Sequence, residues 1–396
     1  MRRLVLLVGA VVFVDTVFYA ALTPLLPVYA EELGLSKAGA GVLAGAYAAG
    51  ALAGGIPGGV AAARLGVKPT LLIGLAGMAA TTFVFGIAEH IVLLDAMRFL
   101  QGFASAFSWT AALTWLVAAA PPDRRGELIG TAMAAAIVGA LFGPVLGGAA
   151  SIVGTAPAFA TVGLLAGVLG VWAWRTPAFA PADPQPLRLL FAAVRRPRIA
   201  ASIWFVALPA MLFGTLGVLA PLRLSELGLG SVAIGATFLV AAGLEAVVNP
   251  FVGRFSDRRG RMLPLRAGLV ASATVAVALP WFDHRLVLAA AVVAAGMAFG
   301  IFWAPAMSML ADAAEAIGLD YAYAFALINL AWAPFAALGA AGSGTVAGAT
   351  SDAVPYVGLA AACVATFVVV ARYSERRRTG ALAAGANAPP GSTNAR

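Results

Sequence analysis

Gly253-Arg254-Phe255-Ser256-Asp257-Arg258-Arg259-Gly260-Arg261 is a short, heavily charged turn set between two long apolar runs. Its outline occurs twice. Gly59-x4-Arg64-x-Gly66 and Gly253-x4-Arg258-x-Gly260 share one spacing at an offset of 194 residues, close to half of the 396-residue chain. A pattern repeated at that distance predicts two halves with the same set of elements. The glycines permit tight turns between helices, and the mixed charges can pair with neighbouring helix ends.

On either side of these turns lie apolar stretches near 4–29, 40–62, 69–88, 91–118, 128–150 and 155–174. Six more follow near 199–221, 231–252, 262–282, 286–311, 321–346 and 353–371. A bilayer core of about 30 Å needs about 20 helical residues, so each stretch can cross it with its backbone hydrogen bonds satisfied internally. The chain is 62% hydrophobic and 11% charged, too little polar surface to cover a water-facing exterior. The reading is an all-α membrane protein with twelve transmembrane helices in two pseudo-symmetric six-helix bundles.

The net charge of +8 does not point to nucleic acid, because the charges sit in short clusters between apolar runs. The one cysteine, Cys363, lies in a late apolar segment, and the two histidines, His90 and His284, fall in short loops. No disulfide framework or metal cluster can be assembled from them, no nucleophile–base set is visible, and no cofactor is expected. The protein is read as a non-enzyme. Met1-Arg2-Arg3 before an apolar run resembles a signal peptide, but Asp15 interrupts the run and the apolar stretch continues to about Tyr29. An uncleaved first helix is expected.

Lys and Arg set the orientation. With the N-terminus inside, twenty-one basic residues fall on the inner side, among them Arg64, Lys68, Arg124, Arg175, Arg254, Arg258 and Arg261. The outer loops hold Lys37, Arg223 and Arg285. Both termini are expected in the cytoplasm, with the protein in the cell membrane. Residues 1–174 form the expected first bundle and 199–373 the second. Between them, 175–198 contains five prolines and reads as a cytoplasmic linker, with a short surface helix at Leu187–Val194. The Gly-, Ala-, Pro- and Ser-rich segment 374–396 reads as a disordered tail.

Four motifs carry a resemblance to the major facilitator superfamily. The repeated turn looks like that family's signature loop, with Gly59, Arg64, Gly66, Gly253, Asp257, Arg258 and Gly260 at matching positions. Ala63 stands where the family usually has an aspartate. A basic loop that only sets topology would look similar. Arg98-Phe99-Leu100-Gln101-Gly102 in helix four resembles the family's Arg-x-x-Gln-Gly motif, associated with proton coupling. The plainer alternative is an arginine snorkelling to the outer interface and held by Asp95. In helix five, Gly130, Gly139, Gly143-Pro144 and Gly147-Gly148 match the spacing of the family's antiporter motif. Gly139, Gly143 and Gly147 make one smooth helix face, and Pro144 allows a bend. Asp15-x8-Pro24-Leu25-Leu26-Pro27 in helix one resembles the drug/proton antiporters and vesicular amine transporters. The resemblance covers essentially the whole chain. It implies a rocking transporter in which Gly59, Arg64, Gly66, Arg124, Gly139, Gly143, Pro144, Gly147, Gly253, Asp257, Arg258 and Gly260 serve conformational change.

Ionisable residues inside predicted spans are candidate sites. Asp15 lies about 16 Å along helix one, near the bilayer middle, with Tyr19 one turn on. Glu245 lies about 18 Å before Asp257 in helix eight, with Asn249 one turn below it. A carboxyl group in low dielectric can exchange protons near neutral pH, and a cation competing for it would couple the two fluxes. Asp15, Glu245 or both are read this way, against buried structural acids. Arg98 and Gln101 join them through the helix-four motif. Trp204, Phe205, Trp303, Trp332 and Phe335 can line a cavity for a large apolar or cationic guest, or simply pack between helices and face lipid.

The leading reading is proton-coupled efflux, by antiport, of small amphipathic or cationic compounds, with the proton gradient as driving force and a monomer as the working unit. The rival is uptake of a sugar or other small metabolite by symport or facilitated diffusion. A sensor or assembly factor on the same fold expects no substrate movement at all.

Overall fold

Runs of Leu, Val, Ala and Gly have few polar side chains to compete for the backbone, and they fold as helices throughout. The computed structural model describes residues 1–121, 124–178, 185–301 and 303–386, with the side chains of all but Gly126, Asp257, Ala304, Tyr321, Ala322 and 373–386. Among these residues there is no strand. The first half contains α1 (Arg2–Glu32), α2 (Lys37–Arg64), α3 (Val67–Ile87), α4 (Ile91–Ala119), α5 (Arg125–Val153) and α6 (Thr155–Arg175). The short α7 (Arg188–Val194) precedes α8 (Pro197–Glu226), α9 (Ser231–Arg259) and α10 (Met262–Ala278). The tenth span is made of α11 (Arg285–Gly300) and α12 (Trp303–Glu315), and the eleventh of α13 (Tyr321–Ala337) and α14 (Ser343–Ala349). The last helix is α15 (Ala353–Ala386). Twelve helical spans among the described residues are long and apolar enough to cross a membrane.

The duplication is visible in the packing. In the first half α1 lies along α5, α2 along α4 and α3 along α6; in the second, α8 lies along α13, α9 along α11 and α10 along α15. Spans in equivalent positions of each half therefore choose equivalent partners. The two charged turns also match in backbone: Gly66 has φ 94° and ψ 161°, and Gly260 has φ 87° and ψ 151°. Only glycine adopts that region without strain, so each turn ends one helix at an arginine-bearing last turn and starts the next. Arg261 of the second turn pairs with Asp312 at the end of α12. The side chain of Asp257 lies outside the described residues.

The halves meet along two seams, α2 against α13 and α14, and α5 against α9. A π turn at Leu338–Gly342 interrupts the eleventh span and shifts its register where it meets α2. Cβ atoms placed on Gly41 or Gly344 would stand 2.6 Å from Ala340 O or 2.3 Å from Lys37 O. One lysine closes this seam at the end that the arginine count assigns to the outside. Lys37 Nζ lies 2.7 Å from Asp352 and 3.6 Å from Glu226, both in the other half. Glu226 also pairs with Arg223, which reaches Asp283 at 2.7 Å. The pairs are partly to largely exposed, so each contributes about 0.2–1 kcal/mol. Lys37→Gln should therefore shift the balance toward separated ends by roughly three- to tenfold. Spin-label distances between the starts of α2 and α15 should gain a longer component; an unchanged distribution would show that the lysine closes nothing.

The linker is tied to the second half through Gln185, which exchanges hydrogen bonds with Asp320 N–H at 3.0 Å and Gly318 C=O at 2.9 Å, while Tyr323 O–H donates to its carbonyl at 2.8 Å. Residues 179–184 lie outside the described residues. α15 continues to Ala386, past residue 374, where Glu, Arg, Ala and Leu are good helix formers. The expected disorder at 387–396 lies outside the described residues.

Candidate functional site

The site is built on α1, and α5 holds α1 in place. A Cβ on Gly139 would sit 2.6 Å from Phe13 O, one on Gly143 2.8 Å from Val17 O, and one on Gly147 2.2 Å from Ala21 O. The glycine stripe is thus a saddle for the turns of α1 that flank Asp15, and any side chain there would push α1 away. Pro144 lies in the same stretch of α5, and its carbonyl comes close to Gly235 of α9 on the second seam.

Asp15 is 3% exposed. Three donors converge on its Oδ2: Tyr47 O–H at 2.9 Å, Ser105 O–H at 2.9 Å and Trp109 Nε1–H at 2.5 Å. Its Oδ1 is buried without a partner. Three hydrogen bonds into one oxygen hold the carboxyl in one orientation and leave the other oxygen for a proton or a cation.

Arg98 is 2% exposed and bonds neither Asp15 nor Asp95. Its guanidinium donates to Phe18 C=O at 3.2 Å and Tyr19 C=O at 2.6 Å. It also lies over the rings of Tyr47 at 4.8 Å, Phe18 at 5.2 Å and Tyr19 at 5.9 Å. The snorkelling alternative is therefore not what the fold shows. The cation is neutralised by carbonyls and π faces, and Tyr47 sits between it and Asp15. Gln101 is fully buried and turns to Thr81 C=O at 3.4 Å on α3, away from Asp15.

From the second half comes Trp332. Its ring lies 6.1 Å from that of Tyr19, which in turn lies 5.0 Å from Tyr47. The indole N–H donates to Asn329 at 3.1 Å, and Asn329 abuts Gly55 of α2. Trp303 and Phe335 pack around Ala48, Ala210 and Ala336 at the same seam. An aromatic line thus crosses from one half to the other beside the buried carboxyl.

Three expected members lie elsewhere. Trp204 is 40% exposed and donates to Thr366 on α15 at 3.0 Å; its indole found an acceptor on the outer wall instead of facing the seam. Phe205 is buried in the second half. Glu245 packs against Gly300 of α11, where an added Cβ would meet its carboxyl carbon at 2.7 Å, and accepts a bond from Asn249 at 3.4 Å. Among the described residues no hydrogen bond or ion pair joins it to the Asp15 cluster. Trp332→Ala should weaken substrate binding by roughly tenfold, the loss of a stacked aromatic contact, while Trp204→Ala should leave it within about twofold. Equal losses in a binding titration would remove the aromatic line from the site. In the turns, Gly253 has open space around it, and Arg124 pairs with Glu127 at 2.8 Å within its own helix start.

Tyr47, Ser105, Trp109 and Asn329 are absent from the residues singled out by sequence. A signal existed for three of them. Ser105 and Trp109 follow Arg98 at i+7 and i+11 on one face of α4, and Tyr47 is the lone aromatic of an Ala/Gly-rich helix.

The Major Facilitator Superfamily profile matches residues 8–340. The chain belongs to this superfamily. It is a multi-pass membrane protein, similar over 324 residues to the chloramphenicol resistance protein of Streptomyces lividans, at 31% identity, covering 78% of this chain and 81% of that one. It is 35% identical over 141 residues to the MFS-type transporter ppzB of Metarhizium rileyi, a stretch covering 34% of this chain but spanning only 29% of that protein's length. It is 27% identical over 125 residues to the quinolone resistance protein NorA of Staphylococcus aureus, about a third of each chain at 32%. Among solved structures, a bacterial homolog of the human lysosomal transporter Spinster, inward-facing and unoccupied, superposes with TM-score 0.74 at 17% identity, covering 93% of this chain and 95% of that one. A likeness at that identity shows the shared fold.

Proposed function

We propose that this transporter exports small amphipathic or cationic compounds across the cell membrane in exchange for protons, with Asp15 as the group that alternates between the two. The observation that carries the reading is the Asp15 carboxyl itself, three donors on Oδ2 and none on Oδ1, buried beside an aromatic path shared by both halves. Charge at this depth is costly without a partner, so a carboxylate that gives up its proton there favours an incoming cation. Tyr19 and Trp332 offer that cation π faces. The halves then separate at one end and close at the other, with Lys37 as one closing contact and the paired glycine turns as the hinge points at the opposite end. Similarity to two drug-resistance proteins supports export over uptake, and the arginine asymmetry supports termini in the cytoplasm.

The test is transport in proteoliposomes with an imposed pH gradient, over a panel of cationic, neutral and anionic compounds. Cations moving uphill against a proton flux support the reading. Movement indifferent to the gradient, or sugar entry with the proton, would overturn it.

A further inference from the structure

Outside the central site, α3 and α6 form a wedge. At one end they touch: a Cβ on Gly86 would stand 3.0 Å from Phe159 Cβ, and one on Gly163 2.9 Å from the Phe83 ring. Toward Arg175 they part, and Gly167 and Gly170 have nothing within 4 Å. The gap is a groove of about 360 Å³ lined by Leu72, Leu75 and Ala76 of α3 and Gly167, Gly170 and Trp174 of α6. No lining residue is charged, so the space does not suit ordered water. It faces outward from the bundle, with Trp174 65% exposed at its rim.

One end of this groove is basic. Lys68 lies one turn before Leu72 on the same face of α3, and Arg175 one turn after Val171 on α6. The Gly86–Phe159 contact joins the end of α3 to the start of α6, so the two helices are antiparallel and both cations stand at the open end. Neither has an ion-pair partner among the described residues. A tail-shaped apolar slot under two cations has the chemistry of a lipid with a negative headgroup, and Trp174 sits where an indole favours the membrane–water boundary.

We propose that the α3–α6 groove binds one anionic phospholipid, with an acyl chain in the wedge and the headgroup phosphate between Lys68 and Arg175. Hydrocarbon alone would fill the slot without preference among lipids. The two cations supply the preference, and the wedge supplies the retention.

The experiment uses the full-length protein in nanodiscs of equal parts phosphatidylglycerol and phosphatidylcholine, with retained lipids counted by native mass spectrometry. The wild type should retain phosphatidylglycerol over phosphatidylcholine by about tenfold or more. Lys68→Gln/Arg175→Gln should bring the two near parity while keeping a bound lipid. Gly167→Leu/Gly170→Leu fills open space and should remove that lipid whatever its headgroup. Ala76→Phe, on an exposed position of the opposite wall, repeats the test should the leucine pair fold poorly. Unchanged retention in the groove variants, or an unchanged preference in the charge variant, would overturn the proposal. Displacement by millimolar inorganic phosphate would do so too, since it would reveal an anion site without a chain.

Discussion

Asp15→Asn is expected to lower gradient-driven export by about a hundredfold or more, to the level of empty vesicles, while the protein remains folded. The substitution keeps the shape of the side chain. Its amide oxygen can still accept from Tyr47, Ser105 and Trp109, which converge on one oxygen in the wild type. The other oxygen, buried and without a partner, becomes an amide nitrogen that neither loads a proton nor draws a cation. Removing a group that carries a proton in each cycle costs on the order of 10²–10⁴ in rate. Glu245→Gln should cost far less, roughly severalfold, because Glu245 is packed against Gly300 and bonded to Asn249, apart from the cluster. Initial rates in proteoliposomes decide between them. Uphill cation transport surviving in Asp15→Asn, or a larger loss in Glu245→Gln, would move the exchange site to the second half.

The second large effect concerns the crossing of α2 and α4. A Cβ on Gly102 would lie 1.8 Å from Tyr47 O, and one on Gly50 1.8 Å from Phe99 O, where ordinary contact needs 3.4–4 Å. The obstacles are backbone atoms, which cannot rotate aside. Gly102→Ala must therefore drive the two helices apart, opening packing along their length, and should destabilise the protein by about 3 kcal/mol. Tyr47 rides on α2 at this crossing, so its hydroxyl would also leave Asp15. Thermal unfolding in detergent should fall by roughly 10 °C, with transport reduced in the molecules that stay folded. Gly217→Ala is the control: nothing lies within 4 Å of a Cβ there, and a helical alanine should be neutral or mildly stabilising. A Gly102→Ala protein as stable and active as that control would mean that the helices do not cross so closely.

Much of the fold was legible because a bilayer demands about 20 apolar residues per crossing and the repeated turns divide the chain evenly. The site was harder to read. Asp15, Tyr19 and Arg98 could be found because charge and position within a span are one-dimensional properties. Tyr47, Ser105 and Trp109 bond Asp15 across 32, 90 and 94 residues of chain, and no local pattern encodes such pairings. Trp204 and Trp332 occupy similar apolar surroundings in sequence, yet one faces the outer wall and the other the seam. In water, a hydrophobic stripe would separate those faces. In lipid, the exterior is as apolar as the interior, so helix rotation leaves little trace in composition. The glycines of α5 were readable as a packing face, but only the fold shows that α1, and so Asp15, lies in that saddle.

In the proposed cycle one carboxyl group trades a proton for a cation. Proton release on substrate binding measures this directly, in weakly buffered detergent solution with a pH indicator and a cationic compound the protein transports. The wild type should release about one proton per bound cation, near the pH at which export is fastest, and Asp15→Asn none. Binding of the cation with no proton released, or equal release from both proteins, would contradict that exchange.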